Sequence, residues 1–167
     1  MFDARLRPLI DPPLNRAGQR LAARGITANQ LTALGILAGL AAAGAILLGQ
    51  FPAAIALILA SRLLDGLDGA VARATAKTPF GGYLDIVGDF LFYVSVPLAF
   101  GLADPANLKP AMLLLASFAL TGVSFLAFAS IAAEQRLETR AHGEKSFFYS
   151  TGLAEGGETI LAFLLMA

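Results

Sequence analysis

Apolar residues run along this chain in five long blocks, at about 31–49, 52–74, 81–103, 110–133 and 147–167, each close to the roughly 20 residues that a helix needs to cross a bilayer. Polar and turn-forming residues punctuate them. Gly49-Gln50-Phe51-Pro52 reads as a tight turn between the first two blocks, and Pro79 with Gly81-Gly82 marks a short connection between the second and third. Ahead of the first block, residues 1–28 mix Arg5, Arg7, Arg16, Arg20 and Arg24 with Leu6, Leu9, Ile10, Leu14 and Leu21, the pattern of a basic amphipathic helix at an anionic membrane surface. Pro8, Pro12 and Pro13 are expected to break its first half, leaving Leu14 to Arg24 as the helical part. The fold class expected is therefore all-α: a polytopic membrane bundle of five spans over 31–167, preceded by an interfacial helix, in a single domain covering 1–167.

Composition agrees. Of 167 residues, 57% are hydrophobic and 14% charged, and the mean hydropathy is +0.70, outside the usual range of a soluble domain of this size. Formal net charge is zero, so the total does not point to nucleic acid, but the positions of the charges are informative. Lys and Arg stay on the cytoplasmic side of a membrane. With the N-terminus inside, the cytoplasmic segments hold Arg5, Arg7, Arg16, Arg20, Arg24, Arg73, Lys77, Arg136, Arg140 and Lys145, and the outer loops hold only Lys109. That distribution predicts a cytoplasmic N-terminus, and the location expected is a bacterial inner membrane. There is no cysteine, which excludes disulfide and thiolate chemistry, and the first residues lack the apolar core and cleavage site of a signal peptide. Gly35 and Gly39 form a G-x-x-x-G step, read here as close packing within the monomer. No repeat or low-complexity segment is visible.

Four carboxylates interrupt the apolar pattern: Asp65-x-x-Asp68-Gly69-x-x-Ala72-Arg73, seven residues, then Gly81-x3-Asp85-x3-Asp89. Each ionised carboxylate costs roughly 2.5–3.5 kcal/mol in a membrane helix, so four together cost on the order of 10 kcal/mol unless neutralised. Residues three or four apart share a helical face. Asp65 and Asp68 therefore point one way from the second span, Asp85 and Asp89 one way from the third, and two facing helices make an oxygen cage suited to Mg²⁺ or Mn²⁺. Ion pairing with Arg62, Arg73 and Lys77 is the alternative, but it sets three bases against four acids. Arg62, deep in the second span, is expected to pair with an acid or to snorkel. Two divalent cations about 3.5–4 Å apart clamp the attacking and leaving oxygens in phosphoryl transfer, which calls for a diphosphate substrate. Arg73 is placed to meet a phosphate oxygen, Gly69 and Gly81 leave room for a nucleotide at the backbone, and one carboxylate remains to take a proton from an incoming hydroxyl.

At these residues the chain resembles the CDP-alcohol phosphatidyltransferase family, whose signature is D-x-x-D-G-x-x-A-R, seven or eight residues, then G-x3-D-x3-D; every fixed position is met. Ala28-Asn29-Gln30-Leu31-Thr32 is similar to the family's P-N-x-x-T element, with alanine in place of proline. The resemblance implies that Asp65, Asp68 and Asp85 hold the metals, and that Asp89 both touches one metal and acts as general base. It also implies that Gly69, Arg73 and Thr78 contact the CDP moiety, with Asn29 and Thr32 closing over it. The implied reaction is attack of a small alcohol on the β-phosphate of a CDP-linked lipid, releasing CMP.

Other readings stand beside these. Asn29 and Thr32 can instead cap the first span, and Thr78 suits the turn before Pro79. Arg136, Arg140 and Lys145 either receive a phosphorylated acceptor or mark a positive-inside loop, and His142 reads as a solvated loop residue. Glu155 and Glu158 are candidates for the acceptor pocket. Family members have six spans, so either a final helix is absent from the chain or a homodimer closes the bundle. Rival functions are an aspartate-rich Mg²⁺-dependent prenyltransferase and a cation transporter. Which alcohol is used is not legible in the residues.

Overall fold

A computed structural model describes residues 2–134 and 156–167, and among these it is helical with no strand. Six helices follow in order: α1 Phe2–Ala23, α2 Ala28–Leu47, α3 Phe51–Ala74, α4 Pro79–Ala103, α5 Leu108–Glu134 and α6 Gly156–Met166, with a 3-10 turn at Pro105–Asn107 before α5. Three segments, Ala28–Leu47, Pro79–Ala103 and Pro105–Ala132, are long and apolar enough to cross a membrane. α3, at 24 residues, has the length as well, but its second half carries the charges of the site. Of the fifth expected block, the described part is the 11-residue helix α6.

Local chemistry sets the boundaries. Thr27 caps α2 with a reciprocal capping box, its hydroxyl accepting from Gln30 N at 3.3 Å while Gln30 Oε1 accepts from Thr27 N at 2.9 Å. Two glycines at positive φ, Gly25 (+80°) and Gly49 (+67°), end α1 and α2. At each, the glycine N–H bonds back three residues and the next N–H bonds back five: Gly25 to Ala22 and Ile26 to Leu21, Gly49 to Ile46 and Gln50 to Ala45. Thr78 caps α4 by accepting from Gly81 N at 3.0 Å, with Pro79 in the first turn. These caps start α2 and α4 two or three residues before their apolar blocks.

The expected break in α1 does not occur. A single helix runs from Phe2 through Pro8, Pro12 and Pro13 to Ala23. Proline removes one backbone donor but fixes φ near the helical value, and the second half of the helix is held by tertiary packing. Its inward stripe, Asp11, Leu14, Asn15, Gly18, Leu21 and Ala22, lies at helical spacing. Gly18 meets Ala70 and Leu14 meets Gly66 on α3, so α1 is docked on the bundle as well as amphipathic.

The core lies between α2, α3, α4 and α6, built on Ile46, Ile58, Phe92, Val96, Phe100 and Phe163. Phe163 of α6 is fully buried, its ring 5.7 Å from Phe92 and 6.2 Å from Phe118 of α5. Small residues set the helix crossings: Gly35 faces Ser61 and Leu64, Gly39 faces Ser61 and Phe92, and Gly88 faces Ile36. The G-x-x-x-G step is thus spent inside the monomer. Of the three long apolar segments, that of α5 is the least covered, 11% buried against 39% for α2 and α4.

Candidate active site

Close approach of α2, α3 and α4 brings three carboxylates together. Asp65 and Asp68 on α3 and Asp85 on α4 each place an oxygen within 4.8 Å of the others. At that separation two ionised carboxylates repel by about 3–4 kcal/mol at an effective dielectric constant near 20, a cost that a bound cation removes. Asp68 is the most buried of the three, 5% exposed, and accepts from the Thr32 hydroxyl of α2 at 2.6 Å. All-oxygen ligation from two helices, with a hydroxyl fixing one ligand, fits a hard divalent cation. The partly open cavity between them is about 10 Å³, and Asp89 also lines it.

Asp89 is turned to a different partner. Its Oδ1 accepts from Arg62 Nη1 at 2.7 Å, and the same nitrogen lies 3.9 Å from Asp65 Oδ1. Besides Asp89, two groups hold Arg62: Cζ lies 4.1 Å over the Phe92 ring and Nη2 donates to Ser61 Oγ at 3.2 Å, while Ser61 Oγ itself donates to the Gly35 carbonyl at 2.8 Å. Among the described residues, the buried Nε of Arg62 has no hydrogen-bond partner. Arg62 pairs with an acid, as expected of it, and the acid is Asp89.

Residues expected at the nucleotide form two groups. At the end of α3, Arg73 donates to Asn15 Oδ1 of α1 through Nε at 3.1 Å and Nη2 at 2.9 Å. A methyl group on Gly69 would sit 3.2 Å from Arg73 Nη1, so the bare glycine makes room for that guanidinium. At the start of α4, a methyl group on Gly81 would lie 3.0 Å from Thr78 Oγ1 and 3.1 Å from Asn29 Oδ1, which places Asn29, Thr78 and Gly81 side by side. The reading of Asn29 and Thr32 as caps is corrected: Thr27 and Gln30 cap α2, while Asn29 faces Gly81 and Thr32 serves Asp68. Arg136, Arg140, His142, Lys145 and Glu155 lie outside the described residues, and Glu158 sits in the first turn of α6.

Asn15 and Ser61 were not singled out in the sequence. Asn15 is, with Asp11, one of two polar members of the inward stripe of α1, and Ser61 is a fully buried hydroxyl beside Arg62; polar residues on largely apolar faces were the available signal.

Residues 25–166 match the CDP-alcohol phosphatidyltransferase family, and the chain belongs to it. It is therefore a membrane transferase of phospholipid head-group chemistry, with a CDP-alcohol donor and an alcohol acceptor. Among curated relatives, it is 47% identical over 166 residues to the inner membrane protein YnjF of Escherichia coli (strain K12), covering 99% of this chain and 81% of that one. It is 34% identical over 163 residues to the archaetidylinositol phosphate synthase of Pyrococcus horikoshii, covering 97% of this chain and 80% of that one. No solved structure matches.

Proposed function

We propose that this protein transfers a phosphatidyl-type group from a CDP-diacylglycerol-like lipid to the hydroxyl of a small alcohol, releasing CMP, at the cytoplasmic face of a bacterial inner membrane. The observation that carries the reading is the convergence of Asp65, Asp68 and Asp85 within 4.8 Å, with Asp89 on the same cavity, at the bundle end that also carries Arg73, Asn29 and Thr78. Basic residues gather there too, with Arg16, Arg20, Arg24 and Lys77 beside that end and Lys109 at the other, which supports the cytoplasmic assignment. The relative named as an archaetidylinositol phosphate synthase supports a polar alcohol as acceptor.

In this reading Asp65, Asp68, Asp85 and Asp89 hold two divalent cations, Mg²⁺ or Mn²⁺. Bound there, the ions would neutralise the diphosphate and stabilise the departing CMP. Arg73, steadied by Asn15, binds a phosphate oxygen of the donor, and the ledge of Asn29, Thr78 and Gly81 receives the cytidine. The acceptor oxygen forms a bond to the lipid-linked β-phosphorus, and the bridging bond to the α-phosphate breaks. CMP leaves with the bonding electrons, while the hydroxyl proton passes to Asp89. Thr32 keeps Asp68 oriented throughout.

The test is CMP release by the purified protein in detergent, with CDP-diacylglycerol, Mn²⁺ or Mg²⁺ and a panel of alcohols including phosphorylated polyols. Metal-dependent CMP release with one acceptor, and its loss in a folded Asp89→Asn protein, is expected. A folded protein that releases no CMP with any acceptor overturns the proposal.

A further inference from the structure

Arg62 is unusual among the groups at the site because it is a permanent cation placed between two of the carboxylates. Its Nη1 lies 2.7 Å from Asp89 Oδ1 and 3.9 Å from Asp65 Oδ1, one from each helix. A cation at that point touches a carboxylate of each helix at once. The guanidinium does not reach it by chance contact: the Phe92 ring lies under it at 4.1 Å and Ser61 holds its other nitrogen at 3.2 Å.

Charge leads to the same conclusion. The guanidinium already places one positive charge between Asp65 and Asp89. A divalent ion brought to the same two carboxylates is repelled by it, by an amount that grows as water is excluded. A diphosphate brings the negative charge that makes a second ion acceptable. We propose that the Arg62 guanidinium stands in for the second divalent cation between Asp65 and Asp89, so that the protein alone binds one ion tightly and acquires the second together with the substrate diphosphate. When Asp89 moves to that ion, Arg62, still on the Phe92 ring, is left to donate to a phosphate oxygen. This rests on the phosphotransfer reading above and adds an order of assembly to it.

Mn²⁺ titration of the purified protein, by calorimetry and by electron paramagnetic resonance, tests the order without any measurement of activity. Wild type is expected to bind one ion tightly, and CDP is expected to bring in the second. Arg62→Gln is expected to bind the second ion roughly tenfold or more tightly than wild type without CDP, because a nearby unit charge is gone; Arg62→Lys, which keeps the charge, holds to one. Wild-type affinities and stoichiometry in a folded Arg62→Gln protein overturn the inference. Should that variant fail to fold, Asp89→Asn decides: it is expected to keep the first ion and lose the one CDP recruits, and loss of the first ion is the contrary result. A wild type that binds two ions unaided removes only the ordered loading, whereas one that binds none removes the phosphotransfer reading with it.

Discussion

Substituting alanine for Gly18 tests whether α1 is part of the site or only a membrane-surface helix, because the two views predict opposite signs. On an unpacked helix, Gly→Ala stabilises by about 1 kcal/mol through helix propensity. In this structure the added methyl carbon would lie 2.6 Å from Ala70 Cβ and 2.7 Å from the Ala70 carbonyl carbon. Carbon atoms pack at about 3.5–4.0 Å, so α1 must withdraw from α3 by about 1 Å, and no rotamer change relieves a clash with backbone. Overpacking of this kind costs about 1–3 kcal/mol, enough to outweigh propensity. One turn away, the bonds from Arg73 to Asn15 at 2.9 and 3.1 Å would stretch past hydrogen-bonding length. Hydrogen–deuterium exchange on the peptides of α1, in detergent, should show roughly tenfold lower protection in Gly18→Ala, at about 1.4 kcal/mol per decade, and a raised donor KM should accompany it. Gly44→Ala is the control: its methyl group meets nothing within 4 Å, and it should be neutral or stabilising. If Gly18→Ala protects α1 as well as wild type or better, the docking of α1 is wrong, and with it the role given to Asn15.

Thr32→Val keeps the side-chain outline but deletes the hydroxyl that meets Asp68 at 2.6 Å; calorimetric Mn²⁺ affinity should fall by roughly ten- to a hundredfold, and no change would separate Thr32 from the metal ligands. Gly81→Ala presses a methyl group against Thr78 Oγ1 and Asn29 Oδ1 at 3.0 and 3.1 Å, so donor KM should rise by about tenfold, or some 1.4 kcal/mol, with kcat little altered. Phe163→Ala empties a fully buried position between Phe92 and Phe118, and thermal unfolding should show a loss of about 3–5 kcal/mol; a melting curve unchanged from wild type would place α6 outside the core.

What could be read from the sequence divides by the range of the interaction responsible. The apolar blocks located α2 to α5 to within about three residues, because hydropathy and helical period are local properties. The aspartate pairs were legible for the same reason: spacings of three and four put Asp65 with Asp68, and Asp85 with Asp89, whatever the rest of the chain does. What the spacing left open was the choice among partners across helices. Asp89 satisfies it as well as Asp85 does, yet its carboxylate faces Arg62 rather than the triad, a preference that depends on Phe92 and Ser61 fixing the guanidinium from α4 and α3. Asn29 and Thr27 both suit a cap, and Gln30 at the third helical position decided for Thr27. Proline statistics argued against the first half of α1, while Gly18 against Ala70 holds its second half in place. Two of the positions that spacing left open, the acid partner of Arg62 and the course of α1, are settled by contacts between residues far apart in the chain. Local rules thus supplied the carboxylates, and the packing of α1 and α4 against α3 decides which of them meet one another and which meets an arginine.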